Sequence, residues 1–309
     1  MLRDAYWGGV RYLEFGGGGQ DAIAALGAFG EIVRSNPAVK AQVRGVSGCS
    51  AGGIVAALLV ANKLDPQQTR DDIAAINWAE YTVGAMDAIG PRMGVVGPEA
   101  GRRMLGGVIE RRCGSKDITA QQLYDQTALV LRVRAVQLES GKCVYLDHRS
   151  HGDVALIDLL WATAAVPLAH APAVIKGLHY VDGGLTCNYS LDAFLAPGRT
   201  HGFRVTPSYR RVFGRAARAL ESPVTDVRRW RNLVTCCIGS SLSTPTPPSE
   251  RQFTTELPGN GNLLRSMVLA TSGPPIDELL AVGRTAQQQW GNRRLCYIVV
   301  AILLSEHIL

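Results

Sequence analysis

Ala41-Gln42-Val43-Arg44-Gly45-Val46-Ser47-Gly48-Cys49-Ser50-Ala51-Gly52-Gly53-Ile54-Val55-Ala56-Ala57-Leu58-Leu59-Val60-Ala61-Asn62-Lys63-Leu64 carries two periodicities joined by a glycine-flanked serine. Residues 41–47 read as a short strand and residues 53–64 as an apolar helix. Between them, Gly48-Cys49-Ser50-Ala51-Gly52 fits G-x-S-x-G. A serine on a sharp strand-to-helix turn is held in a strained conformation with its hydroxyl pushed outward. Glycines at Gly48 and Gly52 suit that turn, because a Cβ at either position would meet the neighbouring strand or helix. The helix N-terminus directs unpaired N–H groups at the same point and favours negative charge there.

The segments on either side extend the pattern. Residues 10–15 (Val10-Arg11-Tyr12-Leu13-Glu14-Phe15) read as a strand, followed by Gly16-Gly17-Gly18-Gly19-Gln20 and a helix over about 21–34 that stops at Ser35-Asn36-Pro37. The first 64 residues thus read as strand, glycine loop, helix, strand, turn, helix. That alternation predicts an α/β protein with three layers, its central sheet mainly parallel and flanked by helices. Further on, 129–136 and 142–146 read as strands around the turn Glu139-Ser140-Gly141, and 154–165 as a helix ended by Pro167. Leu178-His179-Tyr180-Val181 reads as a strand running directly into Asp182-Gly183-Gly184. Residues 84–98, rich in Gly, Pro and Met, read as a mobile apolar loop. Beyond Thr206 the pattern weakens, and 240–262 reads as a long Ser/Thr/Pro/Gly loop. The chain is expected to be a single domain over 1–309, with a regular core over about 10–205 and a less regular extension over 206–309.

Bulk properties bound the class. A chain of 309 residues, 47% hydrophobic and with 34 glycines, suits a folded α/β protein rather than a disordered one. Its seven cysteines are odd in number and lack C-x-x-C spacing, so they read as reduced thiols of an intracellular protein. The histidines form no H-E-x-x-H or H-x-x-x-H pattern and the acids no calcium-loop spacing, so neither a metal nor another cofactor is expected. The N-terminus lacks a signal-peptide core, and the longest apolar run, Leu295 to Leu304, is half the length of a bilayer span, so it reads as a buried element. The net charge of +6 is concentrated: Arg204 to Arg231 holds eight arginines against two acids, with aromatic residues interleaved. Such a segment suits either a solvated helical face or peripheral contact with an anionic membrane; no nucleic-acid motif accompanies it, and no nucleic acid is expected.

A serine nucleophile needs a base and donors for the oxyanion it creates. The Gly16–Gly19 loop, with its N–H groups in front of a helix, can supply donors. Asp182, at a strand end and followed by two glycines, can supply the base.

Taken together, these motifs make the chain resemble the patatin-like phospholipases, a family with a Ser–Asp dyad and no catalytic histidine. Gly17-Gly18-Gly19 matches the family's oxyanion loop, Gly48 to Gly52 its elbow, Asp182-Gly183-Gly184 its D-G-G turn, and Asn188 the asparagine after that turn. Ile118-Thr119-Ala120-Gln121-Gln122-Leu123-Tyr124 is similar to the family's threonine-led helix start, and Trp161-Ala162-Thr163-Ala164-Ala165-Val166-Pro167 to its A-S-x-x-x-P stretch. The resemblance spans roughly 10–205. It implies a serine lipid acyl hydrolase of phospholipase A or lysophospholipase type, acting on a lipid ester through an acyl-enzyme. Ser50 is then the nucleophile, Asp182 the base, and Gly17, Gly18 and Gly19 the oxyanion hole. Asp21-Ala22 departs from the family, which carries Arg or Lys and then Gly there; Thr163 replaces the usual serine, and Ser190 the usual proline.

Three other readings use the same residues. An α/β-hydrolase triad in the order Ser…Asp…His would take His201 or His307 as base. Gly17-x-Gly19-x-x-Ala22 fits a dinucleotide fingerprint, but no acid stands at the end of the next strand to hold a ribose. A lipid-binding protein with weak catalysis is the third, supported by Asp21-Ala22.

Overall fold

The computed structural model describes residues 2–82, 93–206, 254–258 and 276–289. Ten strands lie in them. β1 (Tyr12–Phe15), β2 (Gly45–Cys49), β4 (Val130–Gln137), β5 (Lys142–Asp147), β7 (Ala173–Ile175), β8 (Leu178–Asp182), β9 (Thr200–Thr206) and β10 (Thr254–Pro258) form one sheet. Its order is β10-β9-β1-β2-β4-β8-β7, with β5 also paired to β4. β10, β9, β1, β2 and β4 run parallel, while β5 and β8 are antiparallel to β4. β3 (Gly94–Val96) and β6 (Leu168–His170) make a separate parallel pair. The expected α/β architecture, a mostly parallel sheet flanked by helices, is what the chain adopts.

Register explains the alternation in the strands. Leu13, Phe15, Val46, Leu131, Val133, Ala135 and Phe203 belong to the apolar core. The helices Ile23–Ser35, Ala51–Ala61 and Leu156–Ala164 add Phe29, Leu58, Leu59 and Trp161 to the same core. Every residue of Ala51–Ala61 from Gly52 to Val60 is buried, which is why its sequence is apolar all round rather than amphipathic. Between those core positions, Glu14, Ser47 and Arg134 point the other way and are also buried.

Local sequence sets the helix ends. Thr119 caps Ala120–Thr127 through a capping box with Gln122. Pro98 opens Pro98–Cys113, and Gly114, at φ +80°, closes it.

Several expectations change in detail. Residues 41 and 42 belong to a helical turn, Val39–Gln42, and the strand runs instead over Gly45–Cys49 into the elbow. The 84–98 stretch is described from 93 onward, and there it forms β3 and the start of the helix Pro98–Cys113. The 240–262 stretch is not all loop: β10 lies within it, aligned by parallel pairing with β9. Leu257 and, from a helix over 276–289, Leu279 and Leu280 join the core. The apolar run 295–304 and His307 lie outside the described residues. So does the basic segment from 207 onward; its first member, Arg204, is buried over the Tyr189 ring at 5.6 Å and belongs to no exposed face. Among the described residues no helix is long and apolar enough to cross a membrane.

Candidate active site

One edge of β4 is shared by two strands. β2 pairs along its first half, with Cys49 opposite Arg134, and β8 along its second half, with Asp182 opposite Ala135. Because β2 is parallel and β8 antiparallel to β4, their C-terminal ends meet head to head. The elbow leaves one end and the Asp-Gly-Gly turn leaves the other.

Ser50 stands in that gap as the N-cap of Ala51–Ala61, at φ 54° and ψ −134°. This left-handed conformation is sparsely populated for a residue with a Cβ and costs on the order of 1–3 kcal/mol. Thr163 helps hold it: its hydroxyl accepts the Ser50 N–H at 3.0 Å and donates to the Arg134 carbonyl at 2.6 Å. A Cβ on Gly48 would collide with the Gly52 carbonyl, and one on Gly52 with the carbonyls of Phe15 and Gly16. The two motif glycines therefore let the helix start against both strands.

Asp182 is 5% exposed. Its Oδ1 accepts the Gly184 N–H at 2.7 Å and faces the Cys49 thiol at 3.9 Å, and the Ser50 hydroxyl lies near enough to the carboxylate to pull its pKa down. Burial raises its pKa to about 6, against the opposing pull of those three donors. Gly183 packs where a Cβ would strike the Arg134 carbonyl, and Gly184 where one would press on Asn188 Oδ1.

The glycine loop reaches the same place through Asn188. Asn188 Nδ2 donates to the Gly17 carbonyl at 2.9 Å, and the Gly17 N–H donates to the Asn188 carbonyl at 3.2 Å. A Cβ on Gly17 would run into Asn188 Oδ1 and lie 3.0 Å from Ser50 Cβ. Gly17 is thus beside the nucleophile, with its N–H already engaged. The N–H groups of Gly18 and Gly19, the latter at φ +58°, have no acceptor among the described residues. Asp21 and Ala22 lie buried in the helical turn Gly19–Ala22 behind the loop.

A charged group lies on the other side of β4. Arg134 and Glu14 are both fully buried and paired at 2.8 Å. The Ser47 hydroxyl donates to Glu14, and Arg134 Nη1 donates to the Cys187 carbonyl at 2.9 Å. This pair braces the strands that carry the elbow and the base-bearing turn. The sequence hint to it was Glu14 inside the apolar run of β1 and two arginines, Arg132 and Arg134, alternating with apolar residues in β4; sequence reading did not single it out. His201 sits in β9 with both ring nitrogens engaged, Nδ1 by the Tyr6 hydroxyl at 2.8 Å and Nε2 by the Thr255 hydroxyl at 3.1 Å.

The patatin-like phospholipase family model matches residues 13–195, which contain the glycine loop, the elbow and the Asp-Gly-Gly turn. The chain belongs to the patatin-like phospholipase family, and the family's activity is lipid acyl hydrolysis. No curated protein matches it. Among solved structures it is similar to VipD from Legionella pneumophila, with 12% identity and a TM-score of 0.51 over 88% of this chain and 67% of VipD. It is also similar to ExoU of the Pseudomonas aeruginosa type III secretion system. In the complex with SpcU the identity is 13% and the TM-score 0.40, over 92% of this chain and 52% of ExoU. The chain therefore spans about two thirds of VipD and about half of ExoU.

Proposed function

We propose that the chain is a serine lipid acyl hydrolase of phospholipase A or lysophospholipase type that works through a Ser50–Asp182 dyad and an acyl-enzyme. The observation that carries this reading is the strained elbow serine, Ser50, set beside a buried Asp182 whose pKa burial raises to about 6. At that value the carboxylate is ionised near neutrality and still basic enough to take a proton.

Asp182 accepts the Ser50 proton as Oγ attacks the ester carbonyl. The N–H groups of Gly18 and Gly19, together with the N-terminus of Ala51–Ala61, face the developing oxyanion; Gly17 contributes position rather than its N–H. The alcohol portion of the lipid leaves with the proton that Asp182 held. Water, deprotonated by Asp182, then attacks the acyl-serine and releases the fatty acid. The bonds that hold His201 to Tyr6 and Thr255 favour this dyad over a triad through that histidine.

The test is covalent labelling by a serine-directed fluorophosphonate, followed by assay on phospholipid, lysophospholipid and glyceride esters. Labelling lost in Ser50→Ala and retained in His201→Gln supports the dyad. No labelling of the native chain favours a lipid-binding protein. Near-full turnover in Asp182→Asn removes the base assignment. The Arg-rich segment is proposed to contact anionic membrane from its charge alone, and neutralising Arg210, Arg211, Arg215 and Arg218 together tests it by vesicle binding.

A further inference from the structure

The elbow and the Asp-Gly-Gly turn are fastened to the same short piece of chain. The helix Leu156–Ala164 ends against the gap between β2 and β8, and residues 161–165 are buried there. Pro167 disfavours a helical conformation at Val166, whose N–H turns back to the Ala164 carbonyl at 2.9 Å. The Ala165 carbonyl, past the last helical residue, accepts the Asp182 N–H at 3.0 Å. Two residues earlier, the Thr163 hydroxyl accepts the Ser50 N–H at 3.0 Å and donates to the Arg134 carbonyl at 2.6 Å. The helix end thus holds one backbone N–H of the serine and one of the aspartate.

The Ser50 N–H needs such a partner. β2 stops at Cys49, and Ser50 is the N-cap of Ala51–Ala61, a position whose N–H has no acceptor inside its own helix. A hydroxyl suits the place because it accepts and donates at once. A valine of the same shape would leave the Ser50 N–H and the Arg134 carbonyl without it.

We propose that the end of the helix Leu156–Ala164 is a positioning clamp for the reaction at Ser50, with Thr163 as its positioning residue. Thr163 acts through the Ser50 backbone: its hydroxyl keeps the elbow at φ 54°, and that conformation aims Oγ at Asp182. Ala165 holds the aspartate by a separate bond, so loss of the hydroxyl frees the serine alone. A displacement of ~1 Å at a reacting atom costs up to ~100-fold in rate, so about tenfold slower reaction is expected without the hydroxyl.

The effect on reaction rests on the proposed hydrolase; the fastening of the elbow does not. The full chain is compared as native, Thr163→Val and Thr163→Ser. In Thr163→Val, fluorophosphonate labelling of Ser50 and kcat on a nitrophenyl fatty-acyl ester are expected to fall about tenfold, with KM little changed. Hydrogen exchange is expected to quicken in peptides over 47–53 and to stay unchanged over 180–186 and 120–127. The acid limb of the rate profile is expected at higher pH, since the Ser50 hydroxyl lowers the Asp182 pKa only while it stays beside the carboxylate. Thr163→Ser, which keeps the hydroxyl, is expected to restore rate, limb and exchange.

Where Thr163→Val does not fold, Gly53→Ala presses on the same residue from the other side. Its Cβ would meet the Thr163 methyl at 2.8 Å and the hydroxyl oxygen at 3.3 Å, and slower labelling is expected. Native-rate labelling in Thr163→Val, or in Gly53→Ala where that variant stands in, overturns the proposal. Slowing as large in Thr163→Ser as in Thr163→Val overturns it, because the hydroxyl is then not the cause. Quickened exchange in all three segments with an unmoved acid limb marks a merely structural role and overturns it too. A native chain that does not label overturns the hydrolase reading, while exchange over 47–53 still decides whether Thr163 holds the elbow.

Discussion

Cys49 and Asp182 sit opposite consecutive residues of β4, although 133 positions separate them in the chain. The nucleophile follows Cys49 directly, so a step of one residue along β4 brings nucleophile and base together. The Cys49 thiol, 3.9 Å from the carboxylate, pulls the Asp182 pKa down, and burial outweighs it.

That raised pKa has a stability sign. The folded chain holds a proton on Asp182 up to about pH 6, whereas an ordinary aspartate loses it near 3.8. The native state therefore binds more protons in that window, and stability falls as pH rises through it. Asp182→Asn removes the ionisation, and at pH 7 it is expected to be more stable than the native chain by up to ~3 kcal/mol while turnover is lost. Thermal unfolding at pH 5 and pH 7 checks this: the advantage of the variant grows with pH.

The same ionisation sets the rate profile. kcat/KM for ester hydrolysis is expected to rise about tenfold per pH unit on the acid side and to level off above about pH 6, because the base must be unprotonated. A limb near the ordinary aspartate value would assign the base elsewhere.

Asn188→Ala removes the bond from Nδ2 to the Gly17 carbonyl and leaves the backbone bond from Gly17 in place. The glycine loop is then tethered at one point instead of two. A stability loss of about 1 kcal/mol is expected. Steady-state kinetics should show kcat down by about tenfold with KM little changed, since the contact positions oxyanion donors rather than substrate.

Arg134→Met leaves Glu14 buried without its counter-charge and is expected to cost roughly 3–5 kcal/mol. Pairing it with Glu14→Gln should recover much of the loss, because the uncompensated charge is gone. Chemical denaturation of the two single variants and the double variant measures this coupling.

The legible parts of the molecule were those set by local geometry. Gly48, Gly52, Gly183 and Gly184 each stand where a side chain would strike backbone or a site residue, and that need is written in the neighbouring residues. Thr119 was read as a helix start through the family resemblance, and its capping box with Gln122 is a local feature as well. The pairing of Glu14 with Arg134 was not, because it depends on which strands become neighbours. β10 escaped notice because Thr254-Thr255-Glu256-Leu257-Pro258 has little strand character of its own and is stabilised by β9. The engagement of the Gly17 N–H by Asn188 likewise joins segments 171 residues apart.

Since β2 and β8 abut without sharing a hydrogen-bonded ladder of their own, the strand beside them acts as a ruler for the reaction. Lengthening a surface turn such as the one at 139–141 leaves the spacing of serine and aspartate untouched. One extra residue inserted between Arg134 and Ala135 would move the two strand ends apart by ~3.3 Å, more than a hydrogen bond can span. The tolerance of this enzyme class to insertion is thus mapped by a strand that contributes no reacting atom.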